Sequence, residues 1–224
     1  MKIPLTGYGR PQVFVFPVLI IIAMVICGSL LSPGGVMIAI EAVLAGLLVW
    51  VLSFFRDPAR AVPKDKNLLL APADGTIADI ETVKENGFLG GSALKIGIFL
   101  SVFNVHINRS PCDVRTEKIL YKKGSFKDAR DPQAGKINES NDLHLIRTEN
   151  PQDRLIVRQI SGAIARRIVC QAKEGQNLTG GEKFGMIKFG SRTELYLPLR
   201  EDAKCLVRPG DKVKAGLTAL VRYL

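Results

Sequence analysis

The pattern of hydrophobic and polar positions divides the chain near residue 55. Val13 to Leu31 holds no charged residue, and Val36 to Phe55 holds only Glu41. Each run is about 20 residues, or roughly 30 Å as a helix, which matches the hydrocarbon core of a bilayer. Neither run carries the polar face that a surface helix of a globular domain needs. The first is too long for a cleaved signal peptide and is followed at once by a second. Ser32-Pro-Gly-Gly35 between them has the composition of a tight turn. The pattern therefore predicts a two-helix transmembrane hairpin over residues 1–55, with spans at about 13–31 and 36–55.

Charge then orients the hairpin. Lys2 and Arg10 precede the first span, Arg56, Arg60, Lys64 and Lys66 follow the second, and the turn has no charge. The positive-inside rule places both ends, and everything after Phe55, on the cytoplasmic side of the cell (inner) membrane. Glu41 lies toward the turn end of its span, where it either snorkels or pairs the helices.

From Asn67 onward the pattern shortens. Leu68–Ala71, Gly75–Ile80, Leu94–Leu100, Leu143–Arg147 and Leu155–Ile160 have strand length and composition, separated by Gly, Pro and Asp. Asn104–Ser110 reads as a strand end or loop, and Ile164–Cys170 as a short helix. The polar stretch from Lys122 to Asp142 reads as a long loop covering a site. Val207-Arg-Pro-Gly-Asp-Lys-Val-Lys-Ala-Gly216 has the cadence of a lipoyl- or biotinyl-type β-sandwich, in which a Gly-Asp turn feeds a strand and a second glycine closes the next corner. Ala71–Ile80 repeats that cadence weakly. The expected fold of residues 56–224 is a β-rich α+β cytoplasmic domain with lipoyl-like β-sandwich features.

The net charge of +10 belongs mostly to this second part. Setting aside Lys2, Arg10 and Glu41 leaves 29 basic against 20 acidic residues. No helix-turn-helix, RNA-binding or zinc-finger pattern accompanies the excess, so nucleic acid is not the expected partner. A basic face tethered to a bilayer suits anionic headgroups. The four cysteines form no C-x-x-C pair and no zinc pattern with the two histidines, so they read as reduced, buried residues and no metal is expected.

Chemistry concentrates at Gly190-Ser191, inside Phe184-Gly-Met-Ile-Lys-Phe-Gly-Ser-Arg-Thr-Glu-Leu-Tyr-Leu-Pro198. Glycine leaves its carbonyl open to attack and tolerates unusual backbone angles. Taken alone, a Gly-Ser pair is most simply a turn, Asp74 an Asp-Gly turn and His106 a half-buried imidazole. Three runs taken together change that. Ala71-Pro-Ala-Asp-Gly75, Phe103-Asn-Val-His-Ile-Asn-Arg-Ser-Pro111 and the Gly190-Ser191 run occur in this order, preceded by Phe54-Phe-Arg-Asp-Pro58. From Phe54 to Leu224 the chain resembles the phosphatidylserine decarboxylases in their short bacterial or archaeal form.

That resemblance implies a membrane enzyme that converts phosphatidylserine to phosphatidylethanolamine and cuts its own backbone between Gly190 and Ser191. Ser191 would attack the Gly190 carbonyl, His106 would take its proton and Asp74 would orient the imidazole. The products would be a larger chain, 1–190, and a smaller chain, 191–224, headed by a pyruvoyl group made from Ser191. The pyruvoyl group, the only cofactor implied, serves as an electron sink for decarboxylation. His106 is the expected proton donor in turnover, because the position where long-form relatives carry a second histidine is Phe103. Arg192 either contacts the substrate phosphate or carboxylate or is solvated, and His144 matches no motif and reads as structural. The resemblance implies a homodimer. It leaves open a diacyl lipid or an archaeal ether lipid, archaetidylserine, as substrate. The competing reading is a non-enzymatic membrane adaptor or carrier built on a lipoyl-like β-domain, although no lysine sits on a recognisable hairpin tip.

Overall fold

The computed structural model describes residues 4–131, 133–163, 167–188 and 190–224. The chain forms two compact units, Met1–Ala59 and Arg60–Leu224.

The first unit is built on two helices, α1 (Arg10–Leu30) and α2 (Gly35–Phe54). Pro11 opens α1, where its missing N–H costs nothing. The outer ends are tied together: Thr6 N–H donates to the Phe55 carbonyl at 2.8 Å and Asp57 N–H to the Pro4 carbonyl at 2.7 Å. The pair is thus a hairpin with both ends on one side. Large apolar side chains stand uncovered along both helices, Phe14, Val25, Val36 and Val43 among them. Mean hydropathy reaches 2.9 over the first apolar helix and 2.4 over the second. Glu41 lies against Cys27 of α1, which favours helix pairing over snorkelling.

The second unit is β-rich. Its strands are β1 (Leu68–Leu70), β2 (Gly75–Glu85), β3 (Gly91–Leu100), β4 (Ile107–Arg109), β5 (Val114–Lys122), β6 (Ser140–Arg147) and β7 (Arg154–Ile160). They continue as β8 (Ile168–Cys170), β9 (Asn177–Leu178), β10 (Lys183–Ile187), β11 (Ser191–Pro198), β12 (Ala203–Cys205), β13 (Lys212–Val213) and β14 (Ala219–Tyr223). An eight-stranded sheet has the order β13-β2-β3-β11-β7-β6-β5-β9, and two three-stranded sheets have the orders β1-β14-β12 and β4-β10-β8. Every pairing in these sheets is antiparallel.

Alternation sets which face is core. Ile96, Ile98 and Leu100 in β3, Leu143 and Leu145 in β6, Leu155 and Val157 in β7, and Leu195 and Leu197 in β11 are all fully buried in one cluster. Each such side chain contributes about 1.5–3 kcal/mol relative to exposure. The large sheet curls, so both faces of its central strand β11 are covered. On the outer face Arg192 and Glu194 form a buried ion pair at 2.8 Å, and the Tyr196 hydroxyl donates to Glu194 at 2.5 Å.

Two expectations need correction. Ile168–Cys170, read as part of a short helix, is the edge strand β8 paired with β10, and residues 164–166 lie outside the described residues. The stretch from Lys122 to Asp142 is not one long loop, because a helical turn, α3 (Ala134–Ile137), and the start of β6 interrupt it. The two similar runs, 71–80 and 207–216, turn out to be neighbours. β13 pairs with the start of β2, and Gly210 and Gly216 adopt the positive φ values, 96° and 69°, that their corners require.

Candidate active site

His106 is brought to Gly190, the residue before Ser191, by a strand pairing that is remote in sequence. β4 pairs with β10, and the Ile187 N–H donates to the His106 carbonyl at 3.2 Å, so the chain leaving β10 passes His106 before it enters β11. The Gly190 N–H then donates to His106 Nε2 at 3.2 Å, while His106 Nδ1 lies 3.0 Å from the Asn104 carbonyl. An imidazole protonated on Nδ1 satisfies both contacts, with the Nε2 lone pair accepting from the Gly190 amide. His106 is fully buried.

Ser191 opens β11, with Leu100 of β3 opposite it. Its hydroxyl is buried and has no hydrogen-bond partner among the described residues. Such an orphan is uncommon in a folded chain and is unfavourable by about 1–3 kcal/mol. The preceding Gly190 has φ +68°, the left-handed region that glycine alone occupies freely. Gly162, just beyond β7, packs on the Gly190 carbonyl, and a Cβ on Gly162 would lie 2.4 Å from that oxygen. The hydroxyl of the adjacent Ser161 is likewise buried and without a partner among the described residues.

Asp74 also lies in this unit and is buried. Arg60 donates to both carboxylate oxygens, at 2.6 and 2.8 Å, and the Ala215 N–H donates to Oδ1 at 2.8 Å. Arg60 Nη1 also reaches the Ala215 carbonyl at 2.5 Å. The clasp ties residues before Gly190 to one after it. Asp74 is thus bonded to Arg60 and Ala215, and the contacts of His106 include Asn104 and Gly190.

A polar ladder that sequence reading missed joins β4 to β11. Asn108 donates to Thr193 Oγ1 at 3.0 Å, Gln159 donates to Asn108 Oδ1 at 2.9 Å, and Asn141 donates to Gln159 Oε1 at 3.1 Å. All four residues are buried. A satisfied buried network of this kind fixes one arrangement of the strands that carry it. Asn108 stood within a quoted motif, but nothing marked Gln159, Asn141 or Gly162.

Arg192 is buried on the outer face, where Asp79 takes two of its hydrogen bonds, at 2.8 and 2.6 Å, and Glu194 a third. Contact with a substrate anion would require one of these partners to release it. Burial holds the Lys188 ammonium below the usual lysine range, and the nearby Arg167 charge adds to the shift. His144 is remote from this chemistry, stacked on Phe88 at 4.4 Å between centroids. A cavity of about 320 Å³ opens beside Gly190, lined also by Ser101, Val102, Asp128, Ala129 and Arg130.

Comparison with known proteins bears on this arrangement. Residues 47–221 match the family described as phosphatidylserine decarboxylase. The chain belongs to the phosphatidylserine decarboxylase family. Relatives named phosphatidylserine decarboxylase proenzyme include one from Symbiobacterium thermophilum, 45% identical over 82% of this chain and 84% of its own. Another, from Pelobacter propionicus, is 39% identical over 98% of this chain and 96% of its own. A third, from Nitrosomonas europaea, is 46% identical over 79% of this chain and 80% of its own. Proenzyme in those names denotes a chain made as a precursor.

Proposed function

We propose that this chain is a self-processing decarboxylase that converts phosphatidylserine to phosphatidylethanolamine and makes its own pyruvoyl group from Ser191. One observation carries the reading: a buried Ser191 hydroxyl, unpartnered among the described residues, follows a left-handed Gly190 whose amide meets the His106 ring. Once the Gly190 amide releases Nε2, His106 takes the Ser191 proton there, and the hydroxyl oxygen attacks the Gly190 carbonyl. The acyl group moves from nitrogen to oxygen, and β-elimination frees the Gly190 carboxylate as the end of chain 1–190. Hydrolysis of the remaining dehydroalanine releases ammonia and leaves residues 191–224 headed by the pyruvoyl group. Asp74, whose orientation Arg60 fixes, is assigned the carboxylate of the processing triad on its motif.

The residues present fit that group. Position 191 is enclosed, the His106 ring meets the preceding Gly190, the Asn108 ladder holds Thr193 two residues on, and a cavity opens beside Gly190. Once formed, the group supplies a ketone for the substrate amine and an electron sink for carbon dioxide loss. His106 then delivers a proton to the substrate carbon. Burial around position 191 excludes water from that step.

The helical hairpin is read as membrane-spanning, with residues 56–224 cytoplasmic, on its uncovered apolar surface and its basic flanks. That arrangement leaves the acyl tails in the bilayer while the serine headgroup enters the cavity. The corners at Gly210 and Gly216 support a lipoyl-like sandwich for the catalytic unit, and the family supports a homodimer. An adaptor or carrier role accounts for none of the geometry at Ser191.

Purified chain in detergent should convert phosphatidylserine to phosphatidylethanolamine with one carbon dioxide per product, and a cleaved protein that releases none would contradict the activity. Gly162→Ala provides a separate check on the cleavage geometry. Its methyl would press on the Gly190 carbonyl, and displacement near 1 Å is expected to slow self-cleavage about 10²-fold. Pulse-chase electrophoresis reads this, and wild-type cleavage in that variant would show that Gly162 does not hold the carbonyl in place.

A further inference from the structure

The tip of the turn that leads to His106 is apolar and exposed. Ser101 to Asn104 forms a tight turn: the Asn104 N–H donates to the Ser101 carbonyl at 2.9 Å, and Asn104 Oδ1 accepts from the Ser101 amide and hydroxyl, both at 2.9 Å. Its two central residues are Val102 and Phe103. Turn tips ordinarily carry Gly, Asn, Asp, Ser or Pro, for reasons of backbone geometry and solvation. Here a doubly braced turn instead presents a phenylalanine that is 72% exposed. Val102, beside it, lines the cavity at Gly190.

A segment with an excess of basic residues borders the same cavity. Arg130 lines the same cavity, with its guanidinium paired to the Asp128 carboxylate at 2.6 Å and its side chain 72% exposed. The stretch from Lys122 to Asp131 contains Lys122, Lys123, Lys127 and Arg130 against Asp128 and Asp131, and it exposes Phe126 as well. An apolar tip and net positive charge bordering one opening match the interface of an anionic bilayer, where aromatic rings sit at headgroup level and basic residues meet lipid phosphates.

We propose that this rim docks on the bilayer surface, with Phe103 inserted at the boundary of headgroups and acyl chains and the segment around Arg130 on the anionic headgroups. The inference rests on the cavity at Gly190 being the entrance for the substrate headgroup. A lipid whose tails stay in the bilayer reaches position 191 only if the mouth of that cavity lies against the membrane. A single turn then carries both the insertion point, Phe103, and the Asn104 carbonyl that holds His106 Nδ1. Docking is thereby joined to the group that moves protons.

The chain has one tryptophan, Trp50, so Phe103→Trp in a Trp50→Phe background places a single reporter at the tip. The full chain is reconstituted into phosphatidylcholine vesicles containing phosphatidylserine, with or without brominated acyl chains. Brominated lipid should quench the residue-103 emission strongly. Emission that stays unquenched, whether solvent-like or blue-shifted by contact with a second copy of the chain, overturns the proposal. This readout holds even for a protein that decarboxylates nothing, so it fails separately from the enzymatic reading. As a second measurement, Phe103→Ser should cleave itself normally and keep its rate on a water-soluble short-chain phosphatidylserine. On vesicles its rate should fall about tenfold, as the apolar anchoring of one aromatic side chain is lost. An equal fall on both substrates, or none on vesicles, refutes the docking role.

Discussion

A Ser191→Ala chain is expected to remain one polypeptide and to decarboxylate nothing. Buried at the start of β11 without a hydrogen-bond partner among the described residues, the Ser191 hydroxyl contributes nothing to folding that alanine would lose. Removing an unsatisfied buried group is neutral or stabilising, by up to about 1–3 kcal/mol. The same change removes the hydroxyl proposed to attack the Gly190 carbonyl, which is also the side-chain oxygen that leaves in β-elimination. The variant should therefore melt at or above the temperature of a Ser191-containing precursor while showing neither a small fragment nor carbon dioxide release. A large loss of stability would instead mean that the hydroxyl is held in a structural role. An active, single-chain variant would remove self-processing from the mechanism altogether.

The second large effect is expected at His106. Its ring is the one whose Nε2 meets the Gly190 amide. The other histidine, His144, is stacked on Phe88, and burial lowers its pKa below the usual value. The third position raised by long-form relatives, Phe103, has no titratable group to offer. On the proposed mechanism, one imidazole is left for both proton transfers. His106→Ala should stop maturation, which hides any later role, so the two roles are separated by assembling residues 1–190 carrying His106→Ala with a separately made, pyruvoyl-headed 191–224. Borohydride should still fix phosphatidylserine to the small chain of that assembly. Carbon dioxide release should be slower by roughly 10²–10⁴-fold, the usual worth of a positioned acid or base. Near-normal release would confine His106 to maturation and assign the proton to water or to another group.

How legible the protein was in its sequence depended on the range of the interactions involved. The two apolar helices were readable almost to the residue, because a run without charges needs no partner to be recognised. Strands β2, β3, β6 and β7 were readable from local composition, though β2 and β3 run longer than their apolar cores. β11 was not read as a strand by periodicity. Its outward residues Arg192, Glu194 and Tyr196 are buried with Asp79 and Arg158 nearby, so polar identity no longer marks exposure. β9 and β13, at two residues each, exist only through their pairing with β5 and β2. β8 looked helical because Ala165-Arg-Arg167 favours helix locally, while pairing with β10 decides otherwise for Ile168–Cys170.

The candidate site divides in the same way. Gly190, Ser191, His106 and Asp74 were named from motifs, and the first three converge on one bond. The role of Arg60 as the partner of Asp74, across 14 positions, was hidden among basic residues that had been read only as a membrane flank. Gly162 and Gln159 were invisible because β11 slots between β3 and β7. No local pattern announces that Gly162 will meet the Gly190 carbonyl.

Self-cleavage at Gly190-Ser191 is the central claim, and intact mass of the wild-type protein, isolated from membranes and denatured, tests it most directly. The account predicts two species, residues 1–190 with a free carboxylate at Gly190 and residues 191–224 lighter than a serine-headed chain by one ammonia. A fully active preparation whose only mass is that of the unbroken 224-residue chain would contradict it.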